Sequence, residues 1–188
     1  MVEVEVKLPI NSIEKIQLDL NRLGFIKTGL FCEEDCYFDN EARQIRTNGE
    51  ALRIRKITDF QSESSDTVIT FKGRKMDQIS MSRRELETQI ADAETGIQIF
   101  EALGFQMVPP KVSKIRQEYR FEKMTACIDQ VQNLGDFLEL EIVIQEGENK
   151  DEALEQIENV LQNLGYSLKD TVRNSYLSML QHTQDEEI

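Results

Sequence analysis

Three pairs of glutamates recur at a spacing of two: Glu3 and Glu5, Glu85 and Glu87, Glu139 and Glu141. Residues two apart on a strand share a face. Each pair therefore aims two carboxylates the same way. Basic residues keep the same register. Lys7 follows Glu5 and Arg83 precedes Glu85, while Arg53 with Arg55, Lys72, and Lys114 with Arg116 fall on other short stretches. Guanidinium forks match phosphate oxygens bidentately. Carboxylates suit hard divalent ions, and Mg²⁺ sits between protein carboxylates and substrate phosphates. The chemistry this set predicts is binding of an inorganic or nucleotide triphosphate with Mg²⁺ or Mn²⁺.

The elements that must position these groups are strands alternating with helices. Residues 2–8 place Val2, Val4, Val6 and Leu8 opposite Glu3, Glu5 and Lys7, a half-buried strand pattern. Asn11 or Ser12 can cap a following helix with Ile13, Ile16, Leu20 and Leu23 on one face, stopped at Gly24. The same order returns twice. Arg83–Ile90 precedes a helix with Ile97, Phe100 and Leu103, ending at Gly104-Phe105. Phe137–Ile144 precedes one with Leu154, Ile157, Leu161 and Leu164, ending at Gly165-Tyr166. Further strands are expected over Ala51–Ile57, Val68–Arg74, Lys114–Phe121 and Thr125–Val131, the last carrying Asp129. Residues 58–66 read as a mobile hairpin tip, and the polar stretch from Gln181 as a frayed tail.

Most of these strands are apolar on one side and charged on the other. A charged side ordinarily faces water. Here both signs share the charged faces, and the recurring helices can cover the apolar ones. A closed sheet with helices outside would turn the charges inward and enclose a ligand cavity. Such charges need partners, because an unpaired buried charge costs several kcal/mol or so.

The composition narrows the alternatives. The net charge of −13 lacks the basic surplus that nucleic acid requires, so no nucleic-acid partner is expected. No apolar run reaches the ~20 residues that span a membrane, and charge from the third residue argues against a signal peptide, so a cytoplasmic protein is expected. Cys32, Cys36 and Cys127 suggest neither a disulfide framework nor a zinc site. His182 is the only histidine, which excludes a Ser-His-Asp set. There is no Walker A sequence, so side chains must build the phosphate site. The 188 residues fit one domain over 1–180 with a tail at 181–188.

Glu3-Val4-Glu5-Val6-Lys7 resembles the N-terminal signature of the CYTH superfamily, the triphosphate tunnel metalloenzymes. Glu34-Asp35-Cys36-Tyr37-Phe38-Asp39, Glu50-Ala51-Leu52-Arg53-Ile54-Arg55 and Thr70-Phe71-Lys72-Gly73 follow in the family's order. Arg83-Arg84-Glu85-Leu86-Glu87, Lys114-Ile115-Arg116, Asp129, Gly135 and Glu139-Leu140-Glu141 complete the set, which runs from residue 2 to about Leu180. The resemblance implies an α+β fold, a closed eight-stranded antiparallel tunnel with helices packed outside. It implies metal ligation by Glu3, Glu5, Glu139 and Glu141. Phosphates would be held by Lys7, Arg53, Arg55, Lys72, Arg83, Lys114 and Arg116. Among these, Lys7, Arg55 and Lys72 would act in catalysis, with Glu85, Glu87 and Asp129 in support. Alternation favours Arg83 over Arg84 as the inward residue, and Arg173 is a further candidate phosphate ligand. The segment spacing is most similar to the CyaB group of class IV adenylyl cyclases, which convert ATP to cyclic AMP and pyrophosphate. Thiamine triphosphatase and inorganic tripolyphosphatase are the alternatives, and a non-catalytic polyphosphate-binding module is a third. Room is left for a homodimer.

Overall fold

The computed structural model describes residues 2–74, 83–145 and 147–186. In chain order the elements are β1 (Val2–Pro9), α1 (Ile13–Arg22), β2 (Ile26–Asn40), α2 (Gln44–Thr47), β3 (Ala51–Asp59), β4 (Ser65–Lys72), β5 (Arg83–Ile90), α3 (Ala93–Ala102), β6 (Phe105–Phe121), β7 (Met124–Val131), β8 (Gly135–Ile144), α4 (Lys150–Asn163), a 3₁₀ turn (Leu168–Asp170) and α5 (Tyr176–Glu186). The eight strands close into an antiparallel barrel in the order β1-β5-β4-β3-β2-β6-β7-β8.

Alternation decides which face goes where. On β1, Val4, Val6 and Leu8 are buried outside the barrel wall, against Ile16 and Leu20 of α1 and Ile157 and Leu161 of α4. The outward residues Leu138, Leu140 and Ile142 of β8 join the same core. A second core lies under α3, whose Ile97 and Phe100 pack on Cys36, Phe38 and Ile54. Phe100 meets Phe38 edge to face at 5.1 Å. With the apolar faces covered outside, the charged faces turn inward. Glu5, Lys7, Arg53, Arg83, Lys114 and Asp129 are all buried, so these are not solvated strand faces.

Local signals set the helix ends. The Ser12 hydroxyl accepts from the Lys15 N–H at 3.2 Å, and the Asp92 carboxylate accepts from the Thr95 N–H at 2.7 Å, each capping an exposed first turn. Gly24 (φ 91°) and Gly165 (φ 86°) end α1 and α4 in the left-handed region that glycine enters without strain.

Three expectations need correction. The β3–β4 connection is shorter than 58–66, because β3 runs to Asp59 and β4 begins at Ser65. The strand expected from Lys114 begins at Phe105 and pairs along most of β2. The stretch from Gln181 is helical through Glu186 rather than frayed. Its Gln181 side chain accepts from Arg46 at 2.7 Å and donates to the Pro109 carbonyl at 2.6 Å. Helix α5 also sits differently from the others, across one end of the barrel. Its Tyr176, Leu177 and Leu180 pack on Val112, Val131 and Phe137.

Candidate active site

One cavity of about 670 Å³ runs inside the barrel. Glu3, Glu5, Lys7, Arg53, Arg55, Lys72, Arg83, Glu85, Glu87, Lys114, Arg116, Glu139 and Glu141 all line it. Arg173 lines it too, and Asp129 lies fully buried in the same wall. Arg83 is buried whereas Arg84 is exposed, as strand alternation requires.

The acidic wall comes from β1, β8 and β5. Register places Glu5 directly opposite Glu141 and Lys7 opposite Glu139. Like charges directly opposed across strands are destabilising. Burial pushes the Glu5 carboxyl up, and the charges of Glu139 and Glu3 push it further. Glu141 is pushed well up by burial and by the charge of Glu3, to which it is hydrogen-bonded. Glu85 is pushed up to about 8 by burial and by its hydrogen bond to Glu3. Glu3 itself goes the other way. Burial opposes its ionisation, but the Lys72 ammonium and the hydrogen bonds with Glu85 and Glu141 hold it well below the carboxylate range. Lys72 Nζ stands 3.2 Å from Glu3 Oε2 and 2.5 Å from Glu85 Oε1.

The basic wall comes from β2, β3, β6 and β7. Arg55 forks onto Asp35 through Nε–Oδ1 at 2.6 Å and Nη2–Oδ2 at 2.8 Å, and its Nη1 meets Glu33 at 2.8 Å. Arg53 touches Asp35 at 3.5 Å and donates to Thr70 Oγ1 at 3.2 Å; Thr70 donates to Glu87 at 3.1 Å. Burial would raise the Asp35 carboxyl, yet Arg55 and Arg53 hold it down at about 2. Lys114 Nζ pairs with Asp129 at 3.0 Å and Glu33 at 3.2 Å. Arg116 forks onto Asp129 at 2.7 and 2.6 Å and also donates to Glu139. Lys7 Nζ lies 3.9 Å from Glu139.

Three contributors were not foreseen. Glu33 and Asp35 are counter-ions of the basic wall. Their two-residue spacing is the signal used elsewhere, but it hides inside the acidic run Glu33-Glu34-Asp35. Tyr176 enters from α5. It donates to Asp129 Oδ2 at 2.9 Å, and its ring centroid lies 4.1 Å from Lys7 Nζ and 5.1 Å from Lys114 Nζ. No spacing rule could have placed it.

Among the described residues, no group of three or more His, Cys, Asp and Glu side chains forms a ready-made metal cluster. Glu5 lies directly opposite Glu141, and burial pushes the carboxyls of both up. The all-oxygen donor set fits Mg²⁺ or Mn²⁺ rather than a thiolate-seeking metal.

A closed antiparallel barrel with carboxylates on one wall and guanidinium and ammonium groups on the other has the architecture of a CYTH-type tunnel. The chain belongs to the CYTH domain family, whose model matches residues 1–176. It is 41% identical over 179 residues to a Methanocaldococcus jannaschii protein named as a candidate adenylate cyclase, MJ0240, covering 95% of this chain and 98% of that one. The structure of the PH1819 protein from Pyrococcus horikoshii superposes with a TM-score of 0.86 at 33% identity, covering 96% of this chain and 99% of that one. HpAC1 from Hippeastrum, described as a candidate adenylyl cyclase with a dominant triphosphatase activity, shares the fold at 17% identity and a TM-score of 0.66, covering 97% and 95%. No helix among the described residues is long and apolar enough to cross a membrane.

Proposed function

We propose that this chain is a metal-dependent adenylyl cyclase that converts ATP to cyclic AMP and pyrophosphate. The observation that carries this reading is the mixed lining of the cavity. Beside its charged belt it is lined by Tyr37, Ile45, Leu52, Val108 and Leu177, with Ser178 and His182. The belt offers ligands for three phosphates, and the apolar lining offers surface for a nucleoside. The total volume falls in the range of small-molecule sites, about 300–1,000 Å³. The name of the M. jannaschii relative supports the same activity.

Glu3, Glu5, Glu139 and Glu141 would hold Mg²⁺ or Mn²⁺. When bound, the ions would neutralise phosphate charge and acidify the attacking hydroxyl. The side chains do the remaining work. Arg53, Arg55, Lys72, Arg83, Lys114 and Arg116 bind and align the triphosphate, with Lys7 beside them. In the reaction, the ribose 3′-hydroxyl gives its proton to solvent, its oxygen attacks the α-phosphorus, and the bond from the α-phosphorus to the pyrophosphate oxygen breaks. Lys7, Arg55 and Lys72 offset the charge that grows on the departing pyrophosphate.

One exchange is built into this scheme. Arg116 and Lys7 are both held by Glu139. Were Glu139 to hold a cation, Arg116 and Lys7 would be freed for phosphate, and metal and triphosphate would bind with positive coupling.

The test is product identity. Purified protein is given ATP, thiamine triphosphate or inorganic tripolyphosphate, with Mg²⁺ or Mn²⁺. Cyclic AMP with pyrophosphate is the expected outcome with ATP. Orthophosphate alone would overturn the cyclase reading in favour of hydrolysis of the terminal phosphate. That second reading has its own support, because the charged belt by itself satisfies a tripolyphosphate.

A further inference from the structure

The lysines of the tunnel have a neighbour that is neither acid nor base. Tyr176 is the first residue of α5 and is buried. Its ring lies within cation–π distance of two ammonium groups from different strands, Lys7 of β1 and Lys114 of β6. Its hydroxyl donates to Asp129, which also receives Lys114 and the Arg116 fork. On the side away from the site, the ring meets Phe137 edge to face at 5.1 Å. One side chain therefore bears on three walls of the tunnel.

We propose that Tyr176 is a positioning residue of the triphosphate site, its ring seating Lys7 and Lys114 while its hydroxyl fixes Asp129. The inference rests on the proposed triphosphate chemistry and adds a role for the C-terminal helix. Lysine is a point charge on a flexible stem, and it loses rotamer freedom when it is held. The electron-rich ring attracts both ammonium groups without neutralising them. A carboxylate in the same place would compete with the phosphates for the cations; the ring does not. Helix α5 thus brings an orienting group that adds no counter-charge to those of Glu33, Asp129 and Glu139.

The ring's electron density can be varied without changing its shape. Phenylalanine with zero, one, two or three ring fluorines is placed at position 176. Affinity for Mg²⁺-tripolyphosphate is measured by calorimetry, and KM and kcat are measured with ATP. Each fluorine weakens the cation–π attraction while packing is kept. The expected result is a stepwise loss of affinity and rise in KM, about tenfold across the series, with kcat changing less. Leu180→Ala loosens the packing of α5 outside the tunnel. It should lower the melting temperature and leave KM within about twofold of wild type. A flat response across the fluorinated series, in a protein that binds tripolyphosphate normally, would show that the ring serves packing alone and would overturn this inference. A wild-type protein that binds no triphosphate overturns the functional reading, and this inference with it.

Discussion

Replacing Glu85 by glutamine should change how stability depends on pH in the substrate-free protein. Glu85 has its carboxyl pushed up to about 8 from its ordinary 4.5, by burial and by Glu3 beside it. The native state therefore binds more protons than the unfolded chain between those values. Stability falls as pH rises wherever the native state holds the extra proton. The window is thus pH 4.5 to 8, and the loss is complete above it. One proton corresponds to a slope of about 1.4 kcal/mol per pH unit, so the 3.5-unit window bounds the loss at about 5 kcal/mol. Lys72, raised above its ordinary 10.5, and Glu3, depressed below its ordinary 4.5, add no slope inside that window. Glutamine keeps the shape and the hydrogen bond to Glu3, and it cannot ionise. Urea unfolding of wild type and Glu85→Gln in chelator, from pH 5 to 9, measures the difference. The variant should show a slope shallower by up to one proton and should be the more stable protein at pH 8. Identical slopes would refute the reasoning, since they would mean that Glu85 titrates as an ordinary carboxylate.

The other expectations are more direct. Glu5→Gln and Glu141→Gln should each abolish turnover, yet raise the melting temperature of the substrate-free protein, because each removes one of two directly opposed charges; a fall in melting temperature would contradict the crowding argument. Arg55→Lys keeps the charge and loses the fork onto Asp35, so kcat/KM should drop by about tenfold or more in steady-state assays. Asp39 accepts from the backbone N–H groups of Asn40, Ile45 and Arg46 and so holds α2 against the cavity, which Ile45 and Arg46 line. Asp39→Ala should cost about 1–3 kcal/mol in urea unfolding and raise KM for ATP without weakening tripolyphosphate binding, since only ATP carries a nucleoside.

Much of the molecule could be read from residue spacing, for a physical reason. A strand buried on one face must alternate, and Val2 to Leu8 alternate so strictly that the inward set Glu3, Glu5 and Lys7 is unambiguous. The same logic separates Arg83 from Arg84 and pairs Arg53 with Arg55. It fails on β2. There Glu33, Glu34 and Asp35 are consecutive acids, and a run without alternation does not say which of them point inward. It also fails where the third dimension decides. Tyr176 reaches Lys7 across 169 positions because α5 folds back over the barrel end, and local pattern carries no such information. Gln181 looked like part of a polar tail for the same reason, since its partners Arg46 and the Pro109 carbonyl lie far away in sequence.

Strands β1 and β5 meet where Val2 pairs with Arg84 and Glu3 with Arg83. Glu3 and Arg83 both line the cavity. Any ligand that engages both would act as a clasp across this seam. Substrate capture would then tie β1 to β5 through side chains as well as backbone, and amide exchange at Val2 and Glu3 would report how full the tunnel is.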